Sequence, residues 1–416
     1  MKYRIGILIP FFLACLHLHS FSQENKNTTE VYGFINADAG YNFNSIDPNW
    51  FDVMRPTKLP AFKGEFGPDG NIFYSIRQTR LGVRNVTNTK KGELKIQIDF
   101  DLMGFGVNAG QTTFHLINAF AQLGKWTIGR TASIFMDPDA YPVTLDYWGP
   151  MTRIYNFNTQ LRYTPLYNEK QRLSIALERP DATADESPYS NSIELQHVKP
   201  VFRLPNVTGN YRYTFSWGYL QLGWLLKSMK WEDLTDSSQY NLSGSAAGWG
   251  ADVSSVVQVS KKIRLKFQAE YGQGIQSYIA DAPPDVGLQS SHGANPAKPF
   301  HGKALPVFGL FSFWEIKWHQ RLESSIGYSL EQITNSDLQL PGAFRKGQYV
   351  LVNLRYYPVQ NVLAGVEYQY GSRDNFSDGF HTGCNKVQIA FRINFSSWLG
   401  GKQEGRAAAA GYTPLL

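Results

Sequence analysis

Cysteine is almost missing from this 416-residue chain, which holds only Cys15 and Cys384. Cys15 lies in an N-terminal stretch built like a secretory signal: a charged start at Lys2 and Arg4, an apolar core from Ile5 to Leu18, and a small-x-small site at Ser20-Phe21-Ser22. A lipoprotein site at Cys15 is an imperfect match and would truncate that core. Loss of residues 1–22 leaves Cys384 alone, which excludes an intramolecular disulfide and a cysteine-rich metal site. Long apolar runs are also lacking. The signal core is too short, and too interrupted by His17 and His19, to span a hydrocarbon layer of roughly 30 Å, and no later run approaches the ~20 residues of a membrane helix. Dense Lys/Arg runs are absent as well. The formal charge of +6 becomes +4 without Lys2 and Arg4, and so mild a basicity with no cluster behind it argues against a nucleic-acid partner.

Aromatic residues and glycine are abundant. Aromatics form 14 % of the chain, with 23 Tyr and 37 Gly, and the mean hydropathy is −0.32. A secreted, disulfide-free chain of this kind is a large soluble β-protein or a membrane-spanning barrel. Periodicity bears on the choice. From Leu94 to Leu102 every second residue is apolar (Leu94, Ile96, Ile98, Phe100, Leu102), and Lys95, Gln97, Asp99 and Asp101 fall between them, the period of a half-buried strand. About sixteen such runs follow one another, an even number within the range of single-chain bacterial barrels. Their cores include 31–43, 72–84, 93–103, 126–134, 152–163, 199–205, 216–231 and 385–395.

The links alternate in length. Short ones at Asn85 to Gly92, Gly124-Lys125, Ser260 to Lys262, Trp318 to Gln320 and Pro358 to Gln360 are separated by long ones such as Asn44 to Asn71, Asp181 to Val198, Ile275 to Lys303 and Ser372 to Cys384. Gly104 to Thr112 and Asn206 to Phe215 are intermediate. Short periplasmic turns facing long extracellular loops are the layout of a transmembrane β-barrel. Trp126, Trp148, Trp217, Trp231, Trp314, Trp318, Tyr356 and Tyr357 cluster near strand ends, as amphipathic rings do at the headgroup level. The sequence therefore predicts an all-β chain: a signal at 1–22, a short periplasmic segment at 23–30, an antiparallel barrel of about sixteen strands over 31–395, and a disordered tail at 396–416.

Several segments resemble the DcaP-like outer-membrane porins, a family of trimeric sixteen-stranded channels. The strongest is GRTASIFMDPDAYPVTLDYWGP at 129–150; others are VYGFINADAGY at 31–41, SIRQTRLGVR at 75–84, QLRYT at 160–164, LSIALERPDAT at 173–183 and LQLGWLLKSMKWED at 220–233. The resemblance implies a homotrimer in the outer membrane of a Gram-negative bacterium, surrounded by its lipids. It also implies passive uptake of small hydrophilic solutes with a preference for anions such as dicarboxylates. A helical coiled-coil extension found in members of the family has no counterpart in the few residues before the first strand, so any trimer is expected to form through barrel walls.

Such a channel needs a polar lumen and charges at its narrowest level. Alternation turns Arg80, Arg84, Lys95, Asp99 and Arg162 inward, and Arg130 reaches the pore if the strand bends at Gly129. The stretch 129–150 takes the position of the third extracellular loop, which in porins folds inward; its constricting part is expected near 135–151. Pro138, Pro142 and Pro150 stiffen it, and Tyr141, Tyr147 and Trp148 are placed to pin it to the wall. Asp137 and Asp139 are expected to face the inward arginines across the opening. Alternatives are weaker. A barrel hydrolase needs a nucleophile tied to a base, and His115, His197, His292, His301, His319 and His381 are scattered. A calcium site at Asp137, Asp139 and Asp146 lacks EF-hand spacing. A TonB-dependent receptor needs a plug domain before the first strand, and a soluble periplasmic β-rich binding protein does not explain the alternating loops. The expectation is no enzyme, no cofactor and no resident metal.

Overall fold

The computed structural model describes residues 27–180, 198–201, 203–234 and 241–399. The predicted signal, residues 23–26, most of the fourth loop and 400–416 lie outside the described residues. The described chain forms a closed antiparallel barrel of sixteen strands. In order they are β1 (Asn27–Asn42), β2 (Asn71–Ser75 and, after a break, Arg80–Thr89), β3 (Gly92–Met103), β4 (Thr112–Leu123), β5 (Trp126–Ala132), β6 (Phe157–Tyr167), β7 (Gln171–Glu178) and β8 (Val198–Pro200, then Asn206–Phe215). The second half comprises β9 (Gly218–Asp233), β10 (Gly244–Ser260), β11 (Ile263–Gln273), β12 (Pro306–His319), β13 (Leu322–Ile333), β14 (Phe344–Tyr356), β15 (Val362–Asn375) and β16 (His381–Leu399). β1 starts four residues before the predicted strand, inside the segment taken as periplasmic, and β16 runs on to Leu399.

Closure is made by β1 against β16, in register from Thr29 opposite Leu399 to Asn42 opposite Lys386. It leaves no open edge, as a bilayer requires of spanning strands, because an unpaired backbone N–H or C=O in hydrocarbon costs several kcal/mol. Alternation sorts the faces: Ile98 is 51 % exposed on the outer wall while Asp99 beside it is fully buried. The turns of two to five residues that follow the even-numbered strands lie at one end with both ends of the barrel, and the longer connections lie at the other. The predicted long link Ser372 to Cys384 is the exception: it is mostly strand and leaves only five residues, 376–380, between Asn375 and His381.

The eighth strand differs from expectation. Its main part is Asn206–Phe215, read from the sequence as an intermediate link, whereas most of 199–205 lies outside strand. The outer face of this strand is carried by its neighbour: the Trp224 ring of β9 lies across Gly209, where a Cβ would stand 2.0 Å from Trp224 Cζ2. With Asn206–Phe215 as strand, the link to β9 is a tight turn and the alternation of short and long connections has no exception there.

The interior is not an empty tube. Apolar side chains of the wall, Leu225, Phe311, Phe313, Tyr349 and Leu351, are buried in one cluster with Met54 and Leu59 of the first loop (L1, 43–70), Phe135, Tyr141, Met151 and Ile154 of the third (L3, 133–156), and Tyr278 and Ile279 of the sixth (L6, 274–305). These loops enter the barrel and form a hydrophobic core inside a wall that is otherwise polar on its inner face.

Candidate functional site: the inserted loop and the basic wall

Ahead of L3, β5 carries a glycine with a left-handed backbone, Gly129 (φ +119°). A Cβ there would stand 2.3 Å from Ala119 O of β4. The loop then follows the inner wall around much of the barrel, bonded strand by strand. Asn210 of β8 donates to Ile134 O (2.7 Å). Asp137 accepts from Tyr219 OH of β9 (2.8 Å) and Ser254 Oγ of β10 (2.7 Å). Lys266 of β11 donates to Tyr141 O, and Val143 N–H donates to Glu315 of β12 (2.9 Å). Ser325 of β13 and Asn353 of β14 both donate to Val143 O (2.9 and 3.0 Å). Glu367 of β15 accepts from the N–H groups of Leu145 and Asp146 (2.7 and 2.9 Å), and Lys386 of β16 donates to Asp146 Oδ2 (2.7 Å). Its aromatic residues are bound too. Tyr141 OH donates to Ile154 O, Tyr147 OH to Asp101 Oδ2 (2.6 Å) and Trp148 Nε1 to Ala280 O (2.9 Å). Burial, reinforced by the Asp101 carboxylate, pushes the Tyr147 phenol well above its usual range, so it acts as a neutral donor.

L1 and L6 close over this loop. Asp281 of L6, fully buried, accepts from Arg55 Nε (2.8 Å), Thr57 N–H (2.9 Å) and Thr57 Oγ1, while its own N–H donates to Met151 O (3.0 Å). The Arg55 guanidinium is held between the Trp50 and Trp148 rings, 4.2 and 4.0 Å from their centroids. Arg373 of β15 donates to Thr57 O and Leu59 O (both 3.0 Å) and to Gly342 O (2.8 Å).

The eight residues singled out from the sequence fall into separate arrangements. Arg80 is paired with Asp99, which also accepts from Tyr32 OH (2.9 Å) and Asn118. Arg84, half-exposed, is paired with Glu30. Lys95 lies 5.4 Å from the centre of the Phe120 ring. Arg162 stands on the same cross-strand row as Lys95, through Gln122 and Thr127; it donates to Gln160 Oε1 and Ala132 O and, among the described residues, pairs with no carboxylate. Arg130 is buried, with Nε donating to Leu116 O (2.9 Å). Asp137 and Asp139 do not stand across an opening from an arginine; both close on Arg212 of β8. Asp146 is bound far from them, to Lys386, so the three loop carboxylates do not converge on one ion.

Arg172, Arg212 and Arg392 are not among those eight. Arg172 of β7 donates to Gln221 Oε1, as does Arg212. Arg172 was legible, because it alternates with Leu173, Ile175 and Leu177. Arg212 was hidden in the stretch read as a link. The inner wall therefore has an asymmetry. Arg80 and Arg130 are buried, but Arg84, Lys95, Arg162, Arg172, Arg212 and Arg392 are partly exposed, whereas Glu30, Asp38, Asp99 and Glu178 on the same side are buried and engaged as acceptors: Glu178 takes Ser133 Oγ (2.9 Å), Asn158 Nδ2 (2.8 Å), Thr208 Oγ1 (2.6 Å) and Tyr278 OH (3.0 Å). Of the exposed acids, Glu93 lies beside a turn, and Asp139 in L3 is paired with Arg212.

This architecture is shared with known channels. The outer membrane channel DcaP of Acinetobacter baumannii superposes with a TM-score of 0.74 at 20% identity, over 91% of this chain and 100% of that one. An anion-selective porin from Comamonas acidovorans gives 0.58 at 8% identity, over 89% and 100%. A trimer form of OmpT, an outer membrane protein of Vibrio cholerae, gives 0.50 at 11% identity, over 89% and 99%. No curated protein matches the sequence. At these identities the likeness shows the fold. The sequence itself matches the family model described as DcaP outer membrane protein over residues 20–395, and the chain belongs to that family, as a porin of the Gram-negative outer membrane.

Proposed function

We propose that the protein is a passive diffusion channel for small hydrophilic solutes that favours anions, dicarboxylates among them. The observation that carries this reading is an asymmetry of the wall from β1 to β8: Arg84, Lys95, Arg162, Arg172 and Arg212 are partly exposed, whereas Glu30, Asp38, Asp99 and Glu178 are buried and accept hydrogen bonds. A passing ion senses the exposed charges in high-dielectric water and only weakly the neutralised pairs behind them. L3 forms the constriction, and solutes pass it along the part of the inner wall that carries Lys95, Arg162 and Arg172. Residues 1–22 act as the signal that is removed on export. Trimerisation through barrel walls is part of the proposal, OmpT of Vibrio cholerae being solved in a trimer form.

The test is the reversal potential of the purified channel in a planar bilayer under a KCl gradient, followed by competition with dicarboxylates, sugars and amino acids. A chloride-selective potential and block of chloride current by dicarboxylates are expected; cation selectivity would refute the proposal.

A further inference from the structure

Glu270 of β11 and Glu331 of β13 flank Gly309 of β12 on one cross-strand row. They are 1 % and 0 % exposed. Three of their four carboxylate oxygens, Glu270 Oε1 and both of Glu331, have no hydrogen-bond partner. The fourth, Glu270 Oε2, accepts from Gln268 Nε2 (3.1 Å). Asp252, next on the row beyond Glu270, is turned the other way, its Oδ1 lying over Gly223. The buried carboxylates of Glu178 and Asp99 take several donors, whereas both oxygens of Asp252, like those of Glu331, have no partner. A carboxylate taken out of water is ordinarily paired or bound to a metal, and a buried polar atom without a partner calls for an explanation.

A second observation comes from L3. Thr152, on the returning limb of the loop, is fully buried, and its Oγ1 also lacks a partner. Its Cβ lies 3.0 Å from the point a Cβ on Gly309 would occupy, and Glu270 Oε1 lies 1.9 Å from that same point. The Thr152 side chain and the Glu270 carboxylate thus both lie over the one residue of the row that has no side chain between the two glutamates. Gln268 donates to Thr152 O (3.4 Å) and leaves its own Oε1 unpartnered. Every unpartnered atom named here is a hard oxygen: carboxylate, hydroxyl or amide. Oxygen donors of this kind suit calcium or magnesium, which fill the rest of their coordination with water. Two carboxylates match one divalent charge. No group of three or more His, Cys, Asp or Glu among the described residues is arranged for a metal, so the donor set is not one for zinc or copper.

We propose that Glu270 and Glu331 hold a hard divalent cation, calcium, over Gly309, with Thr152 Oγ1 and Gln268 Oε1 as further ligands. The ion fastens the returning limb of L3 to β11–β13. This site is distinct from the basic wall and stands whether or not the channel favours anions.

The full chain, folded in detergent and stripped with EDTA, is titrated with calcium chloride at pH 7.5 by calorimetry, with thermal unfolding in parallel. One calcium per chain and a raised unfolding midpoint are expected for the wild type. Glu270→Gln and Glu331→Gln each remove one ligand charge and are expected to weaken binding roughly tenfold or more; gel migration of unboiled samples shows that they fold. No uptake by the stripped wild type, or uptake unchanged in both variants, overturns the proposal. So does a midpoint that rises on acidification and ignores calcium, the behaviour of two acids sharing a proton. Should the glutamine variants not fold, Thr152→Val keeps the shape and removes one ligand, and unchanged calcium binding in it is equally fatal.

Discussion

Arg172 and Arg212 stand directly opposite each other on β7 and β8 and donate to one acceptor, Gln221 Oε1, at 3.1 and 3.0 Å. Like charges facing each other across a sheet repel. Here the repulsion is relieved by L3: Asp137 and Asp139 close on Arg212, and Arg172 stands beside them without an ion pair of its own among the described residues. Arg172→Gln is expected to reduce the anion-to-cation permeability ratio by roughly fivefold, the effect of about 1 kcal/mol from one charge acting through water at a few ångströms. The loss is expected to shrink between 0.1 and 1 M salt, as the screening length falls from about 10 to about 3 Å. Asp137→Asn has the opposite sign, because it returns charge to Arg212. Reversal potentials measure both, and equal shifts in one direction would contradict the assignment.

Asp281 is the joint at which L1, L3 and L6 meet. Its carboxylate takes three donors from L1, and its backbone N–H is bound to L3. Asp281→Asn keeps the size and removes the charge opposite Arg55, leaving a buried guanidinium without its anion. Breaking a buried pair costs on the order of 3–5 kcal/mol. Much of that is released if L1 lifts, since Arg55 then reaches water. The expected outcome is a channel that folds, migrates normally on unboiled gels and shows open-channel current noise absent from the wild type. A quiet trace would show that Arg373, which holds Thr57 O and Leu59 O, secures L1 unaided.

The barrel was legible because each spanning strand must show lipid one face and the lumen the other. Leu94 to Leu102 alternates without a break and lies within β3 (Gly92–Met103). Where the wall does something else, the pattern weakens. In β8 the outer position Gly209 is covered by the Trp224 ring of the next strand, so an apolar residue is missing from the sequence where the surface is in fact apolar. In β12, VFGLFSFW at 307–314 is apolar on both faces, because Phe311 and Phe313 point inward and join the cluster that receives L3. That two-faced run was a readable sign that something docks inside. The pairings of the loop were not readable: Asp137 with Arg212 and Asp146 with Lys386 join residues 75 and 240 positions apart. Nothing local distinguishes a lumen cation that meets a loop carboxylate from one that meets water.

Gly129 sets the direction in which L3 leaves the wall. Its φ of +119° is a conformation that residues with a Cβ rarely adopt, and a Cβ would stand 2.3 Å from Ala119 O and 2.8 Å from Phe120 Cα, both backbone atoms that cannot step aside. Gly129→Ala is expected to cost about 1–3 kcal/mol through this strain and to lower the temperature at which the folded band disappears in heated, unboiled gel samples. Gly64→Ala is the control. That residue also has positive φ (+83°) but nothing within 4 Å of its Cβ position, so it carries the backbone strain without the clash. Equal effects at the two sites would remove the clash from the explanation.

The far end of L3 depends on Asp146, whose two oxygens serve different partners. Oδ2 accepts from Lys386 Nζ (2.7 Å) and Met54 N–H (2.9 Å), and Oδ1 from Trp148 N–H (2.6 Å). Glu367 takes the N–H of Asp146 itself. Lys386 is fully buried, and its Nζ also donates to Asp52 O of L1 (2.6 Å). Lys386→Met removes the cation, keeps the bulk of the side chain and leaves Asp146 buried with neutral donors only, at a cost of about 3–5 kcal/mol. Because the loop is held at many points before Asp146, the barrel is expected to fold while this end of L3 detaches and widens the passage. Single-channel conductance is then higher than in the wild type, and anion preference is lower because solutes travel farther from Arg162 and Arg172. Lys386→Met/Asp146→Leu removes the stranded charge as well and is expected to restore stability without restoring conductance, since the hydrogen bond to Met54 is lost with it. A double variant that conducts like the wild type would mean that the Glu367 bonds alone hold the loop in place.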